Sequence, residues 1–567
     1  MKNCALLLFL ISTLFYAQNP SEQIRINQVG YLEKGEKIFV VSDLPDKIFE
    51  LLDESKKVVF KRNLEEKGVW DKSGEKVTLG NFSTYSKPGK YTIKVGNHVS
   101  YAFEIGNDIY RGVKNAALKS YYLQRISMPI EEQYAGIFKR EKGHDDIGLL
   151  FHSSANKSGS LDTPGGWYDA GDYGKYMINA GIATGIMLSL AENYPDAFPD
   201  NSLNIPESGN NIPDILDELK YEIDWMLTMQ DEDGGAFVKV TTLNFCGMVM
   251  PSEAPKDRLV IGKSTAAALH LAAIGAMASR IYTPYLPEYA NKCLLAAEKA
   301  WEWANKNPTK YYAQNPEDVK TGPYNDTDLN EEFFWANSEL YATTKKGIYY
   351  NKIKSKLSHF TLRLEENWRN YNDNIGYYSL VNKKSPLPEN DKKVIENRLV
   401  FVADSLASVQ KSIPYQIPID HFVWGSNSDV LDAAIIFAQA YELTKRPKYL
   451  KAVNECSDYV LGKNATGYSF VTGFGSKQAM RIHHRPSVAD GIDAPYPGFL
   501  VGGPNFHMQD KGSLAASGFS YASELPAKSY IDEIPSFASN EICINWNAPL
   551  VYVSGFLDHY NDQNQSP

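Results

Sequence analysis

The sequence is short of cysteine, with five in 567 residues, and the four that follow Cys4 are Cys246, Cys293, Cys456 and Cys543, widely separated and without a Cys-x-x-Cys pair. Such spacing builds neither a disulfide framework nor a zinc ribbon. Basic charge is also in deficit: 58 Lys and Arg stand against 68 Asp and Glu, a net charge of -10. With no basic stripe along the chain, a nucleic-acid partner is excluded. No apolar run beyond the first twenty residues is long enough to span a membrane, and no fixed-period repeat marks a solenoid. The length exceeds the roughly 300 residues that one core usually serves, which predicts two domains.

What is present begins with a leader. "MKNCALLLFLISTLFYAQ" has Lys2, an apolar stretch from Ala5 to Tyr16 and the small Ala17, the pattern of a secretory signal peptide over residues 1–17. Cys4 precedes the apolar stretch, where a lipoprotein cysteine would follow it, so the expected product is secreted or periplasmic without a lipid anchor. Aromatics make up 12% of the chain, including 36 Tyr and 9 Trp. Their flat apolar faces and polar tips suit sugar rings as well as core packing.

Residues 22–106 carry short β-branched runs separated by turn residues, among them "KIFVVSD", "GKYTIKVG" and "VSYAFEIG". This predicts a small antiparallel β-sandwich. From Asp108 the periodicity becomes helical, with almost no strand texture up to 562. In "NIPDILDELKYEIDWMLTMQ" the apolar residues recur at three- and four-residue steps, whereas "STAAALHLAAIGAMASRIY" is apolar nearly all round and should be enclosed by other helices. Further helices are expected near 110–125, 178–194, 288–305, 331–344, 347–366, 391–411, 429–443, 446–461 and 542–560. An even set of antiparallel helices in two shells would bury them, with the glycine- and aromatic-rich motifs gathered in loops at one end.

Three such motifs carry chemistry. "PGGWYDAGDYGKY" holds Asp169 and Asp172 among glycines and aromatics; two carboxylates at this spacing can share a water, although Asp is also a common helix cap. "FGSKQAMRIHHRPS" places His483, His484 and Arg485 together, without the i,i+4 histidine or cysteine partner that a zinc site needs. "YIDEIPSFASNEICINWNAPL" holds Asp532 and Glu541. Among Ile542, Ile544 and Trp546 the Glu541 carboxyl can be desolvated and kept protonated as an acid, or it can merely complement a helix dipole. A carboxylate base and a protonated carboxyl acid together are the equipment of glycoside hydrolysis.

These three segments, in this order, resemble the signatures of glycoside hydrolase family 9, the inverting cellulases, and "IRINQVGYL" resembles the start of the immunoglobulin-like domain that precedes one branch of that family. The resemblance covers nearly the whole mature chain. It implies an N-terminal all-β immunoglobulin-like sandwich followed by an all-α six-hairpin α/α barrel. It implies Asp172 as catalytic base, Asp169 as the aspartate orienting the water, Glu541 as general acid, and His483 and Asp532 as supporting members. Trp167, Tyr168 and, through "VWGSN", Trp424 become expected sugar contacts, and Arg485 an expected donor to hydroxyls. Relatives of this branch commonly hold a structural zinc just before the first motif; "RISMPIEEQYAGIFKREKGHDD" keeps His144 but no cysteine, so no zinc is expected there. Calcium occurs in the family, with ligands that this sequence does not identify. Tyr168 and Gly174 depart from residues common in the branch and bear on subsite preference.

The expected function is therefore that of a secreted, monomeric endo-β-1,4-glucanase acting on cellulose-like or mixed-linkage β-glucans with inversion. The alternatives are an exo-acting β-glucosidase, cellobiohydrolase or glucosaminidase of the same family, and a non-catalytic carbohydrate-binding protein.

Overall fold

The computed structural model of the protein describes residues 19–360 and 371–563. The expected leader at 1–17 lies outside them, as does the end of the helix expected over 347–366, which begins as Gly347–Ile353.

Two sheets form the N-terminal sandwich. One runs in the order Ile24–Arg25, Ile38–Ser42, Glu75–Asn81, Glu65–Trp70, and the other in the order Gly30–Leu32, Phe103–Gly106, Gly89–Val95, Ile48–Asp53, Val58–Asn63, with His98–Val99 paired to Gly89–Val95. Strand alternation gives the first sheet two different faces. Phe39 and Val41 point inward onto Phe49, Leu51, Ile93 and Phe103. Ile38 and Val40, with Trp70, Val77 and Leu79, belong instead to the large core of the helical domain. Every residue of Ile38–Ser42 is buried for this reason; both faces of the strand have a partner.

The joint between the domains also has a polar layer. Trp70 lies with its ring centroid 5.0 Å from that of Tyr415, whose hydroxyl donates to Glu75 Oε2 at 2.6 Å. The amide of Gln28 donates to Leu461 O at 3.0 Å, its Nε2 to Gly467 O at 2.8 Å, and its Oε1 accepts from Lys477 N at 2.8 Å. Asn27 Nδ2 donates to Asp458 Oδ1 at 2.8 Å. Two neighbouring residues of "IRINQVGYL" thus hold the 458–477 stretch, which leads directly into the histidine motif.

From Ile109 onward the long helices are of two kinds, which alternate along the chain except that Asn330–Thr344 and Asn372–Val381, both of the buried kind, are consecutive among the described long helices. Ile109–Gln124, Pro287–Lys306, Glu389–Ser412 and Pro447–Val460 bury one face and expose residues on the other, and Asp214–Thr228 keeps its outer face half-buried. Met177–Asn193, Thr265–Tyr282, Asn330–Thr344, Asn372–Val381 and Ser426–Thr444 are buried almost all round. The last helix, Ile544–Gln563, packs between Met177–Asn193 and Ser426–Thr444. An amphipathic helix suits a position at the surface of the domain and an all-round apolar one an enclosed position.

One element departs from the sequence expectation. A five-stranded sheet stands among the helices, in the order Ser160–Leu161, Leu149–Phe151, Leu259–Ser264, Ala236–Thr241, Lys175–Tyr176. Its two longer strands, "AFVKVT" and "LVIGKS", pair antiparallel. They do carry β-branched residues, but each is only six residues long, and Leu259–Ser264 runs straight into the helix Thr265–Tyr282 while Ala236–Thr241 starts a short loop after Asp214–Thr228, so nearby helical texture hides them. The edge strand Lys175–Tyr176 is the end of the first acidic motif.

Because the sandwich supplies part of the helical domain's core, a chain starting at Asp108 should expose Trp70's partners and lose thermal stability before specificity. Trp70→Ala in the full chain should cost about 3–5 kcal/mol, read as a fall in the midpoint of urea unfolding; an unchanged midpoint would show that the sandwich does not brace the helices.

Candidate active site

The three motifs are stitched together by their backbones. Ala170 bridges Cys543 antiparallel, His483 bridges Glu541 in parallel, and Val501 bridges Ile542. Arg485 N donates to Gly171 O at 3.2 Å, His483 N to Asn540 O at 2.9 Å and Ile544 N to Asp169 O at 2.8 Å. Gly171 is required at this crossing: a Cβ there would lie 2.1 Å from His483 O and 3.1 Å from Glu541 Oε1. The helix after the first motif begins at Met177 with Tyr176 in the cap position and no side-chain cap bond. Neither Asp169 nor Asp172 is therefore a helix cap, and both are free for other work.

Asp172 Oδ2 accepts from Gly174 N at 3.0 Å and from the Tyr176 hydroxyl at 2.9 Å. Asp169 is buried and accepts from Asn179 Nδ2 at 3.0 Å and from the Tyr324 hydroxyl at 2.6 Å, with Cys543 Sγ 3.8 Å away. Burial first, and the charge of Asp172 second, push Asp169 up to about 8, while Tyr324 and Asn179 pull it back. Glu541 keeps one edge open to the cleft, yet loss of water drives its carboxyl well above the ordinary range; Asp172 pushes further and Arg485 opposes. The helix after it starts only at Ile544, so Glu541 sits in the bridge with His483, in front of the helix.

Asp172 and Glu541 line one cavity of about 420 Å³, with Trp424, Phe245, Tyr176, Tyr324, His507 and Trp546 among its walls. Trp424 and Phe245 are 38% and 50% exposed, so neither ring is closed off from solvent.

The remaining expected residues fall elsewhere. His483 donates from Nδ1 to Ile534 O at 2.7 Å, and burial holds its ring below the ordinary histidine range. Its neighbour His484 is fully buried between Ser487 and Gln124. Asp532 accepts from the amides of Met480 and Arg481, both at 2.9 Å, and from Asn540 Nδ2 at 3.1 Å. It positions the histidine segment and does not line the cavity.

Three assignments need correction. Trp167 is 1% exposed, packed on Tyr121 with its indole N–H donating to Glu218 Oε1 at 2.9 Å; no ring face is left for a sugar. Tyr168 is 0% exposed and donates to or accepts from His144 Nδ1 at 2.9 Å. Arg485 is buried and spends Nε, Nη1 and Nη2 on the carbonyls of Cys246 and Gly171. It clamps backbone instead of reaching into the cleft. Sequence reasoning also passed over Tyr324 and Phe245, single aromatics in loops that no local pattern singles out; Tyr176 stood inside a quoted motif but without a role.

The stretch where relatives hold zinc is filled differently. Both ring nitrogens of His144 are engaged, by Tyr168 and by Pro255 O at 3.1 Å, and burial lowers its pKa to about 3. Asp146 sits between Lys175 Nζ at 2.7 Å and Arg258 Nε at 2.8 Å, all three buried. Among the described residues no group of three or more His, Cys, Asp and Glu is placed to hold a metal ion.

Comparison with known proteins agrees with this geometry. Residues 110–554 match glycosyl hydrolase family 9, and residues 19–100 match the cellulase N-terminal ig-like domain. The chain is 40% identical over 568 residues to a xyloglucan-specific endo-beta-1,4-glucanase of Bacteroides ovatus, covering 95% of this chain and 94% of that protein. It is 32% identical over 556 residues to endoglucanase D of Acetivibrio thermocellus, covering 96% and 84%. A solved Bacteroides ovatus GH9 structure superposes with a TM-score of 0.88 at 38% identity, covering 96% of this chain and 100% of that one. With three motifs joined around one carboxyl-lined cavity behind an immunoglobulin-like domain, the chain belongs to glycosyl hydrolase family 9 and is a glycoside hydrolase of the cellulase type.

Proposed function

We propose that the protein is an endo-β-1,4-glucanase that cleaves β-glucan chains internally by single-step inversion. The observation that carries this reading is the shared cavity: Asp172 and Glu541 face it together with the exposed ring of Trp424. Glu541, kept protonated by burial, gives its proton to the glycosidic oxygen as the bond to the anomeric carbon breaks. Asp172 removes a proton from the water attacking the opposite face of that carbon, and Asp169, held by Asn179 and Tyr324, keeps the water oriented. An inverting pair stands about 6.5–9.5 Å apart so that this water fits between them. Trp424 and Phe245 offer apolar surfaces to pyranose faces.

The alternation of one-sided and fully buried helices supports closure as a six-hairpin α/α barrel. A branched β-1,4-glucan is a fitting substrate, given the likeness to a xyloglucan-specific enzyme. The site needs no zinc on this reading, since the residues around His144 are already paired with each other. The leader supports export to the periplasm or beyond, and the enzyme is proposed to work as a monomer.

Asp172→Asn and Glu541→Gln should each lower kcat by about 10²–10⁴-fold or more with the fold retained by circular dichroism; wild-type turnover in both would make the protein a binder and not an enzyme. Along the pH axis, Glu541 must be protonated and its carboxyl is raised, so activity should persist above the ordinary carboxylate range and fall only as pH climbs through the raised value. That alkaline limb of kcat/KM should vanish in Glu541→Gln. Digestion of xyloglucan, barley β-glucan, carboxymethylcellulose and chitosan oligomers, followed by proton NMR and size analysis, should give α-anomers first and a spread of oligomer lengths. Monomer or dimer alone from the outset would replace the endo reading with an exo one.

A further inference from the structure

Lys239 lies on Ala236–Thr241, fully buried, as the cross-strand partner of Tyr176. Its ammonium donates to Asn315 Oδ1 at 2.9 Å, Thr321 Oγ1 at 3.3 Å and Gly322 O at 2.8 Å. All three acceptors belong to one loop, and that loop continues through Pro323 to Tyr324, where it forms a wall of the catalytic cavity. The same ammonium stands 5.4 Å from the ring centroid of Tyr176 and 5.7 Å from that of Tyr312. Tyr176 and Tyr324 meet edge to face at 4.9 Å. Their hydroxyls are the two that reach the acidic pair, Tyr176 to Asp172 and Tyr324 to Asp169.

We infer that Lys239 is a positioning residue for the catalytic carboxylates: one buried ammonium ties the Tyr324 loop to the strand behind Tyr176, and so sets both tyrosine hydroxyls against Asp172 and Asp169. The inference rests on the reading of Asp172 as base.

The chemistry favours this over a merely structural lysine. A buried ammonium is expensive unless paired, and a structural one is normally placed against a carboxylate, as Lys175 is against Asp146. Lys239 makes only neutral hydrogen bonds, and the charges that act on it are Asp172 first and Asp169 second. Burial lowers it to about 7, so through the acidic range it carries its proton and uses all three donors. Its positive charge then faces the acidic pair from behind, where it favours the pair's ionised form. A neutral side chain of the same length would release the loop and remove that charge together.

The test uses the full chain with Lys239→Met, close in length but without charge or donors, beside Lys239→Arg, which keeps both. On a soluble β-1,4-glucan, Lys239→Met should lower kcat by about tenfold to a hundredfold while KM stays within about threefold, because the Trp424 and Phe245 rings stand on other segments and the main effect falls on the placement of the carboxylates. The acidic limb of kcat/KM should move to higher pH, since the pair loses a cation that favours its ionised form. The other groups facing that pair, Glu541, Glu222, His483, Cys543 and the two tyrosines, are unchanged by the substitution. Lys239→Arg should keep the wild-type limb. If Lys239→Met does not fold, Thr321→Val removes one acceptor and should lower kcat without raising KM. Wild-type kcat and an unmoved acidic limb in the folded variant overturn the inference. If Asp172→Asn retains wild-type turnover, the fault lies with the functional reading instead, so the two failures are told apart.

Discussion

At Gly171 two stretches of backbone from opposite ends of the helical domain pass so closely that even a methyl group would collide with the His483 carbonyl. The rest of the site follows from that approach. Only with Gly171 against His483 can Ala170 bridge Cys543 and His483 bridge Glu541, and only those bridges bring the acid to the cavity that Asp172 lines. The helices supply a rigid surround, but the position of the acid relative to the base is set by main-chain hydrogen bonds between loops. Such bonds have defined lengths and directions, which side-chain packing alone does not provide.

A second constraint is electrostatic. Asp169, Glu541 and Glu222 are all raised by burial, and Glu218 behind them is paired with Arg125 at 3.0 Å with both side chains fully buried. Packing this much acid into a dry region costs stability. The positive groups present do not form simple ion pairs with the working carboxyls. Arg485 spends its donors on backbone carbonyls, and Lys239 spends its own on an amide, a hydroxyl and a carbonyl. Field without direct contact leaves the carboxyls available to water and sugar.

The sequence made the acids and both domains legible, because carboxylates among glycines and aromatics cannot be explained as core, and because one-sided and all-round apolar helices differ in period. Where it misled, the reason is distance along the chain. Trp167 and Tyr168 stand beside an acid and look like sugar platforms, but their burial is decided by Tyr121, Glu218 and His144, which only the fold brings to them. Arg485 looked like a hand for hydroxyls and is held by the backbone of Gly171 and Cys246. Lys239 and Tyr324 were silent because each lies alone in its segment, and their pattern exists only across a strand pair and a loop. The Leu259–Ser264 and Ala236–Thr241 strands were masked by their helical neighbours.

Asp169 and Cys543 touch across 374 residues of chain, and Gln28 grips Lys477 across 449. A chain emerging from its N-terminus therefore carries the sandwich, the base and most of the helices before it possesses an acid. The hydrolase comes into being only with the last stretch of its chain, so a product of early termination lacks both the acid and the cavity wall that Trp546 supplies.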